Sequence, residues 1–263
     1  AGRRLMSGMH ALWSVGGFAG AGLFGIWVGT FALTPLLSTI IAAAIMAAHT
    51  FFHPRFLFLF TLKPPFLNIG GDAGGKLLAL PKGIVTFVGI IACIAFLVEG
   101  AIMDWGGVFL TTVRHFDMSL AGTAFTVFSA AMLTMRLLGD WTVQKLGQER
   151  VVIGGSLLAV AGFLLVIFAA EPALLYLGFF AIGIGCANVV PVFFSLLGKQ
   201  RVMPISLAVP AVSTLGYLGI LMGPAVIGFI AHQTSLYTAF GLLAFLVLLQ
   251  SIIAAYVYRH ILD

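Results

Sequence analysis

Two carboxylates stand inside an otherwise apolar stretch of this chain. Residues 84–98 carry no charge, and Glu99 and Asp104 follow before the apolar stretch ends near residue 110. A continuous helix over this stretch would be about 40 Å long, which is enough to cross a hydrocarbon core of ~30 Å. A carboxylate there costs at least ~2.5 kcal/mol, so it normally faces a water-filled path or a partner. The pattern therefore marks Glu99 as a candidate site residue if the helix spans a membrane.

The two carboxylates do not form an acid–base pair. Asp104 follows Glu99 by five residues, about 140° around a helix, so the two side chains lie on different faces. For Glu99 two interpretations stay open: binding of a proton or of a solute hydroxyl or amine, and a structural acid hydrogen-bonded to a neighbouring helix. Asp104 stands beside Trp105, which favours an interfacial or gating position over contact with a solute.

The composition places the chain in a membrane. Of its 263 residues 61% are hydrophobic and 8% are charged, and the mean hydropathy is +1.16, whereas soluble domains are ~25% charged. The thirteen basic residues are scattered between apolar blocks, so no nucleic-acid-binding face is expected. Cys93 and Cys186 lie singly in apolar runs, and no metal or cofactor is predicted. The expected partners are the lipid bilayer, a small-molecule solute and, as an option, protons.

Eight membrane-spanning helices are predicted. They cover about residues 7–28, 31–52, 83–110, 119–138, 151–170, 173–197, 205–231 and 236–258. The longest polar break, residues 53–82, contains Pro64-Pro65 and two Gly-Gly pairs, which cannot continue a helix and predict a linker. Its GGDAGGK segment lacks the spacing of a phosphate-binding loop.

The basic residues predict the orientation of the chain. With both termini in the cytoplasm, the outside segments hold only Arg114. The inside segments hold twelve basic residues: Arg3, Arg4, Arg55, Lys63, Lys76, Lys82, Arg136, Lys145, Arg150, Lys199, Arg201 and Arg259. Such an excess is typical of cytoplasmic segments.

Two further polar residues are candidates for the site. Asn188 lies in the middle of the sixth span near Pro191, which frees a carbonyl and kinks the helix. The Asn188 amide can hydrogen-bond across helices, in a packing role or in a cavity. His10, at the cytoplasmic start of the first span, is either an interfacial or capping histidine or a substrate- or proton-binding residue.

Several motifs resemble one known family. The segment RLLGDWTVQKLGQERV looks like the cytoplasmic signature of the major facilitator superfamily, although Gln148 stands where a basic residue is usual. The segment GILMGPAVIG resembles the glycine–proline motif of that family. The segments LMSGMHALWSVGGFAGA, EGAIMDW and CANVVPVFFS resemble a bacterial subgroup, the YbjJ-like permeases. The matching residues are Gly139, Asp140, Lys145, Gly147 and Arg150 in the first motif and Gly219, Gly223, Pro224 and Gly228 in the second.

The resemblance implies an all-α membrane protein whose eight spans correspond to helices 5–12 of a twelve-helix fold. Residues 1–52 would be the last two helices of the N-terminal half, residues 53–82 the cytoplasmic interdomain loop, and residues 83–263 the C-terminal six-helix half. The sequence would then lack the first four helices of that fold, and such a fragment is not expected to transport by itself.

The resemblance also implies a function. The complete protein would be a permease of the bacterial inner membrane that moves a small solute by alternating access, as an option coupled to protons. Arg136 and Asp140, at i and i+4 at the cytoplasmic end of the fourth span, would form a gate that favours the outward-facing state. The alternatives are a membrane-embedded enzyme, a channel-like pore or a non-functional fragment. No cluster of catalytic residues favours the enzyme, and no ring of like charges or carbonyl filter favours the channel.

Overall fold

The computed structural model describes residues 33–52 and 80–260, together with single positions at 16, 20, 27 and 31. The chain divides into two compact units, residues 19–78 and residues 1–18 with 79–263. In the smaller unit, helix α1 covers Pro35–Phe52 and its apolar part is Leu36–Ala48. Proline suits the first helical position because its missing N–H would be unpaired there in any case. The expected first span, apart from its positions 16, 20 and 27, and residues 53–79 of the polar break lie outside the described residues.

The larger unit is built from helices alone over residues 80–260. Helix α2 (Ile84–Val108) continues into a π-helical turn (Phe109–Val113), and a short 3-10 turn (Met118–Leu120) leads into α3. The later helices are α3 (Thr123–Leu137), α4 (Gly139–Leu146), α5 (Gln148–Phe168), α6 (Pro172–Cys186), α7 (Val189–Leu196), α8 (Ile205–Gln233) and α9 (Leu236–His260).

Six stretches of this unit are long and apolar enough to cross a membrane. They are Ile84–Val113, Met118–Leu137, Gln148–Phe168, Pro172–Leu196, Ile205–Gln233 and Leu236–His260. Each lies within a few residues of the span predicted from the sequence. Large apolar side chains such as Leu164, Leu221 and Phe229 are exposed on the helices, as expected where lipid is the solvent. The fold is therefore the all-α membrane fold that the sequence predicts.

One connection between spans differs from the expectation, and one span is interrupted. Residues 139–150 were expected to form a connecting loop, but the helix resumes as α4 after the single residue Leu138. The sixth span breaks at Ala187 and Asn188, between α6 and α7. Pro191 explains that break, because it has no N–H to donate to the carbonyl four residues earlier.

Glycines allow two helix pairs to pack closely. On α8, a Cβ added to Gly219 would overlap the Cys93 carbonyl of α2. On α5 and α6, Gly155 faces the Gly185 carbonyl and Gly162 faces the Gly178 carbonyl. Small residues permit this approach of backbones, from which membrane helices gain van der Waals contact.

Candidate functional site

A layer of polar side chains separates two apolar clusters in the larger unit. One cluster contains Val98, Met132 and Ala187 and the other contains Ala95, Val152 and Val189. The side chains between them are Glu99 on α2, Arg136 on α3, Ser156 on α5, Asn188 before α7 and Gln250 on α9. Polar groups in a membrane helix must find partners inside the protein, so this layer holds the candidate chemistry.

Glu99 and Arg136 form an ion pair in this layer. Glu99 Oε2 accepts a hydrogen bond from Arg136 Nη2 at 3.3 Å. The Arg136 side chain is 2% exposed and that of Glu99 is 16% exposed. This hydrogen bond to a neighbouring helix is what the structural interpretation of Glu99 predicts. The exposed part of the Glu99 side chain also leaves the binding of a proton or a solute open. A role of Glu99 in transport stays a prediction.

The two partners of the ion pair lie at different positions along their spans. Glu99 lies near the middle of the 30-residue span Ile84–Val113. Arg136 lies in the last turn of α3, one residue before the end of the span Met118–Leu137, where the sequence places it. Arg136 is buried and does not belong with the basic residues of the inside segments.

Arg136 has a second contact, with the break in the sixth span. Its Nε donates to the carbonyl of Ala187 at 3.3 Å. Ala187 is the residue four positions before Pro191, so no helical N–H is available to this carbonyl. One guanidinium therefore joins the carboxylate of α2 to the break between α6 and α7. The pairing of Arg136 with Asp140, implied by the family resemblance, stays a prediction.

Asn188 contacts the junction between α3 and α4. Its side chain is buried, and its Nδ2 donates to the Met135 carbonyl at 3.5 Å, which is the long limit for such a bond. Its Oδ1 lies where a Cβ would stand on Gly139. The close approach of Asn188 therefore requires a glycine at position 139. Gly139 is the first glycine of the cytoplasmic motif, and it is a packing partner of Asn188.

The rest of the cytoplasmic motif forms α4, the turn after it and the first turn of α5. Gly147 has φ +85° and ends α4, a backbone conformation that glycine adopts without strain. Lys145 Nζ lies 5.0 Å from the centre of the Trp141 ring, a cation–π distance. Asp140 is partly buried, whereas Lys145 and Arg150 are exposed.

The glycine–proline motif of α8 faces α2. Trp105 Nε1 donates to the Pro224 carbonyl at 2.9 Å, and the Trp105 ring packs where a Cβ on Gly228 would stand. Gly223 faces Leu97 in the same way. The expectation gave Trp105 an interfacial position, and the structure adds a specific partner on the neighbouring helix. Asp104 is exposed on α2, away from the Glu99–Arg136 pair.

Two polar contacts were not predicted from the sequence. Gln250 Nε2 donates to Ser156 Oγ at 3.1 Å, with both residues buried. Arg114 Nη2 donates at 2.8 Å to the Val166 and Ile167 carbonyls, which are among the last of α5. A glutamine in an apolar run was the available signal for the first contact, but nothing in the sequence indicates its partner.

Two remaining expectations concern His10 and metal binding. His10 lies outside the described residues. Over the part of the chain that the structure describes, no group of three or more His, Cys, Asp or Glu side chains is arranged to hold a metal ion.

The helices define a polytopic α-helical membrane protein, and comparison with known proteins identifies the family. Residues 88–261 match the profile of the Major Facilitator Superfamily. The chain belongs to this superfamily.

The relatives of this chain agree. It is 41% identical over 249 residues to an uncharacterized MFS-type transporter of Yersinia pestis, covering 94% of this chain and 62% of that protein. It is 31% identical to the uncharacterized transporter y4wD of Sinorhizobium fredii, covering 96% and 65% respectively. The chain thus spans less than two thirds of the length of these relatives.

A solved structure supports the fold alone. The peptide transporter POT, in complex with sulfate, superposes with a TM-score of 0.59 at 20% identity, covering 72% of this chain and 40% of that chain.

Proposed function

We propose that the protein is a secondary active transporter that moves a small solute across the bacterial inner membrane by alternating access, with Glu99 as its proton-binding residue. The observation that carries the proposal is the Glu99–Arg136 pair at 3.3 Å, near the middle of a membrane-spanning helix. Membership of the Major Facilitator Superfamily supports the transport class.

The pair is suited to proton coupling for a physical reason. A carboxylate held in an apolar layer is stable in its charged form only while a cation accompanies it. Arg136 supplies that cation from α3. A change at Arg136 that accompanies helix movement would therefore change the proton affinity of Glu99, which is what coupling requires.

The same proposal includes the placement of the chain in the fold. Residues 1–52 would be helices 5 and 6, residues 53–82 the cytoplasmic interdomain loop and residues 83–263 helices 7–12 of a twelve-helix transporter. Both termini of the chain would be cytoplasmic. The asymmetry of basic residues still supports this orientation after the buried Arg136 is removed from the inside segments.

The test begins with a solute. The complete protein is purified and screened for solutes that raise its melting temperature, because a ligand that binds only the folded state stabilises it. Uptake of the solute found is then measured in proteoliposomes with an imposed pH gradient. We expect Glu99→Gln to abolish proton-driven uptake while solute binding at fixed pH persists.

The matched control is Glu171→Gln, which neutralises an exposed carboxylate in the loop between α5 and α6. It should leave uptake unchanged. Proton-driven uptake at the parent rate in Glu99→Gln would exclude Glu99 from the coupling mechanism.

A further inference from the structure

Asn188 connects the charged pair to the cytoplasmic helix α4. Arg136 lies between Met135 and Gly139 in the chain, and Asn188 contacts both of these neighbours, by its Nδ2 and its Oδ1 respectively. On the other side, Asn188 follows Ala187, whose carbonyl accepts from Arg136. The amide therefore lies against the α3–α4 junction and beside the break that Arg136 holds.

We infer that Asn188 is a positioning residue that transmits the protonation of Glu99 to α4. The inference rests on the proposed function, because it requires Glu99 to bind protons. When Glu99 takes up a proton, Arg136 keeps its charge and loses the attraction of the Glu99 carboxylate. The guanidinium then moves relative to Glu99 and carries with it the Ala187 carbonyl and the adjacent Asn188.

The break makes this transmission effective. A continuous helix would resist displacement of Ala187, but Pro191 has removed the hydrogen bond that would hold its carbonyl in the ladder. At the receiving end, Leu138 alone separates α3 from α4. Asn188 is buried against Gly139 with no intervening side chain, so its displacement changes the angle between these two helices.

The experiment measures the position of α4 directly. Gln144, an exposed residue of α4, is changed to cysteine in the complete protein with Cys93→Ala and Cys186→Ala. The rate of its reaction with a membrane-impermeant maleimide is compared between mildly alkaline and mildly acidic pH in membrane vesicles that expose the cytoplasmic side, normalised to the rate for a soluble thiol. We expect a pH-dependent rate in this parent and a pH-independent rate after Glu99→Gln.

Asn188→Ala should abolish the pH dependence, whereas Gln233→Ala, which removes an exposed amide at the end of α8, should retain it. The double variant Gly139→Ala/Asn188→Ala distinguishes transmission by Asn188 from a purely structural role of that residue. Gly139→Ala alone should lower the melting temperature because its Cβ overlaps Asn188 Oδ1. The double variant gives that Cβ room, so we expect the melting temperature to recover and the pH response to stay absent.

The outcomes separate the two proposals. A pH response that survives Asn188→Ala but not Glu99→Gln overturns the role of Asn188 and leaves proton binding at Glu99 intact. A response restored in the double variant shows that Asn188 is only a spacer and also overturns the inference. A parent without any response, or one whose response survives Glu99→Gln, overturns the transmission from Glu99 through Asn188, whereas the proposed function is decided separately by the uptake assay of Glu99→Gln.

Discussion

Arg136 Nη2 lies 3.3 Å from Glu99 Oε2. The two side chains belong to α2 and α3, which are joined by the π-helical and 3-10 turns. The Arg136 side chain is 2% exposed and that of Glu99 is 16% exposed, so water screens their attraction less than it would at the surface. The two charges therefore depend on each other.

That dependence predicts unequal effects of single and double changes. Glu99→Ala removes the carboxylate beside buried Arg136 and should destabilise the protein by ~2–3 kcal/mol. This is below the ~3–5 kcal/mol typical of a fully buried pair, because Arg136 keeps the Ala187 carbonyl and Glu99 is partly exposed. Adding Arg136→Met should recover most of the loss. Thermal unfolding in detergent measures both, and a double variant less stable than Glu99→Ala would contradict this account.

Adjacent glycines of α5 should respond in opposite ways to alanine. A Cβ on Gly155 would lie 2.7 Å from the Gly185 carbonyl, whereas a Cβ on Gly154 meets nothing within 4 Å. We expect Gly155→Ala to cost ~1–3 kcal/mol because the helices must separate. Gly154→Ala should be neutral or stabilising by up to ~1 kcal/mol, since alanine favours helix. Melting temperatures of the two variants test the contrast, which equal values would refute.

The Trp105–Pro224 hydrogen bond should contribute measurably to the packing of α2 on α8. Trp105→Phe removes the donor to the Pro224 carbonyl and should cost ~1 kcal/mol. Trp141→Phe is the control, because Trp141 is exposed on α4 and a phenyl ring still offers Lys145 a π face. Unfolding of the two variants in the same detergent gives the comparison. If Trp105→Phe lowers the stability no more than Trp141→Phe does, the hydrogen bond to Pro224 contributes nothing to the stability.

The spans were predictable because an apolar helix must be long enough to cross the hydrocarbon layer, and this requirement is local. Even Pro191 was read correctly as a helix breaker from its chemistry. The end of α3 at Leu138 was predicted too, but helix α4 was missed, since Gly139 suggests a loop unless one knows that Asn188 occupies the space beside it. This is a tertiary contact, and no local sequence pattern indicates it.

Only part of the polar layer could be predicted: Glu99 and Asn188 stood out in the sequence, whereas Ser156, Gln250 and the contacts between these side chains did not. Glu99 is conspicuous because its charge interrupts an apolar run, but its partner had to be chosen among basic residues. The i, i+4 rule favoured Asp140 for Arg136, whereas the structure also brings α2 against the same side chain. The pairing of Gly155 with Gly185 and of Gly162 with Gly178 had a readable signal, since both helices repeat glycine at an interval of seven.

The π-helical turn at Phe109–Val113 has a consequence for the opposite end of the unit. A wider turn holds one residue more than an α-turn, and one residue corresponds to about 100° of rotation. Arg114 follows directly, with its guanidinium over the rings of Phe109 and Tyr237 and on the last carbonyls of α5. The extra residue therefore sets the direction of the Arg114 side chain. Deleting it would rotate Arg114 away from the α5 carbonyls and remove the contacts by which this side chain joins α2, α5 and α9.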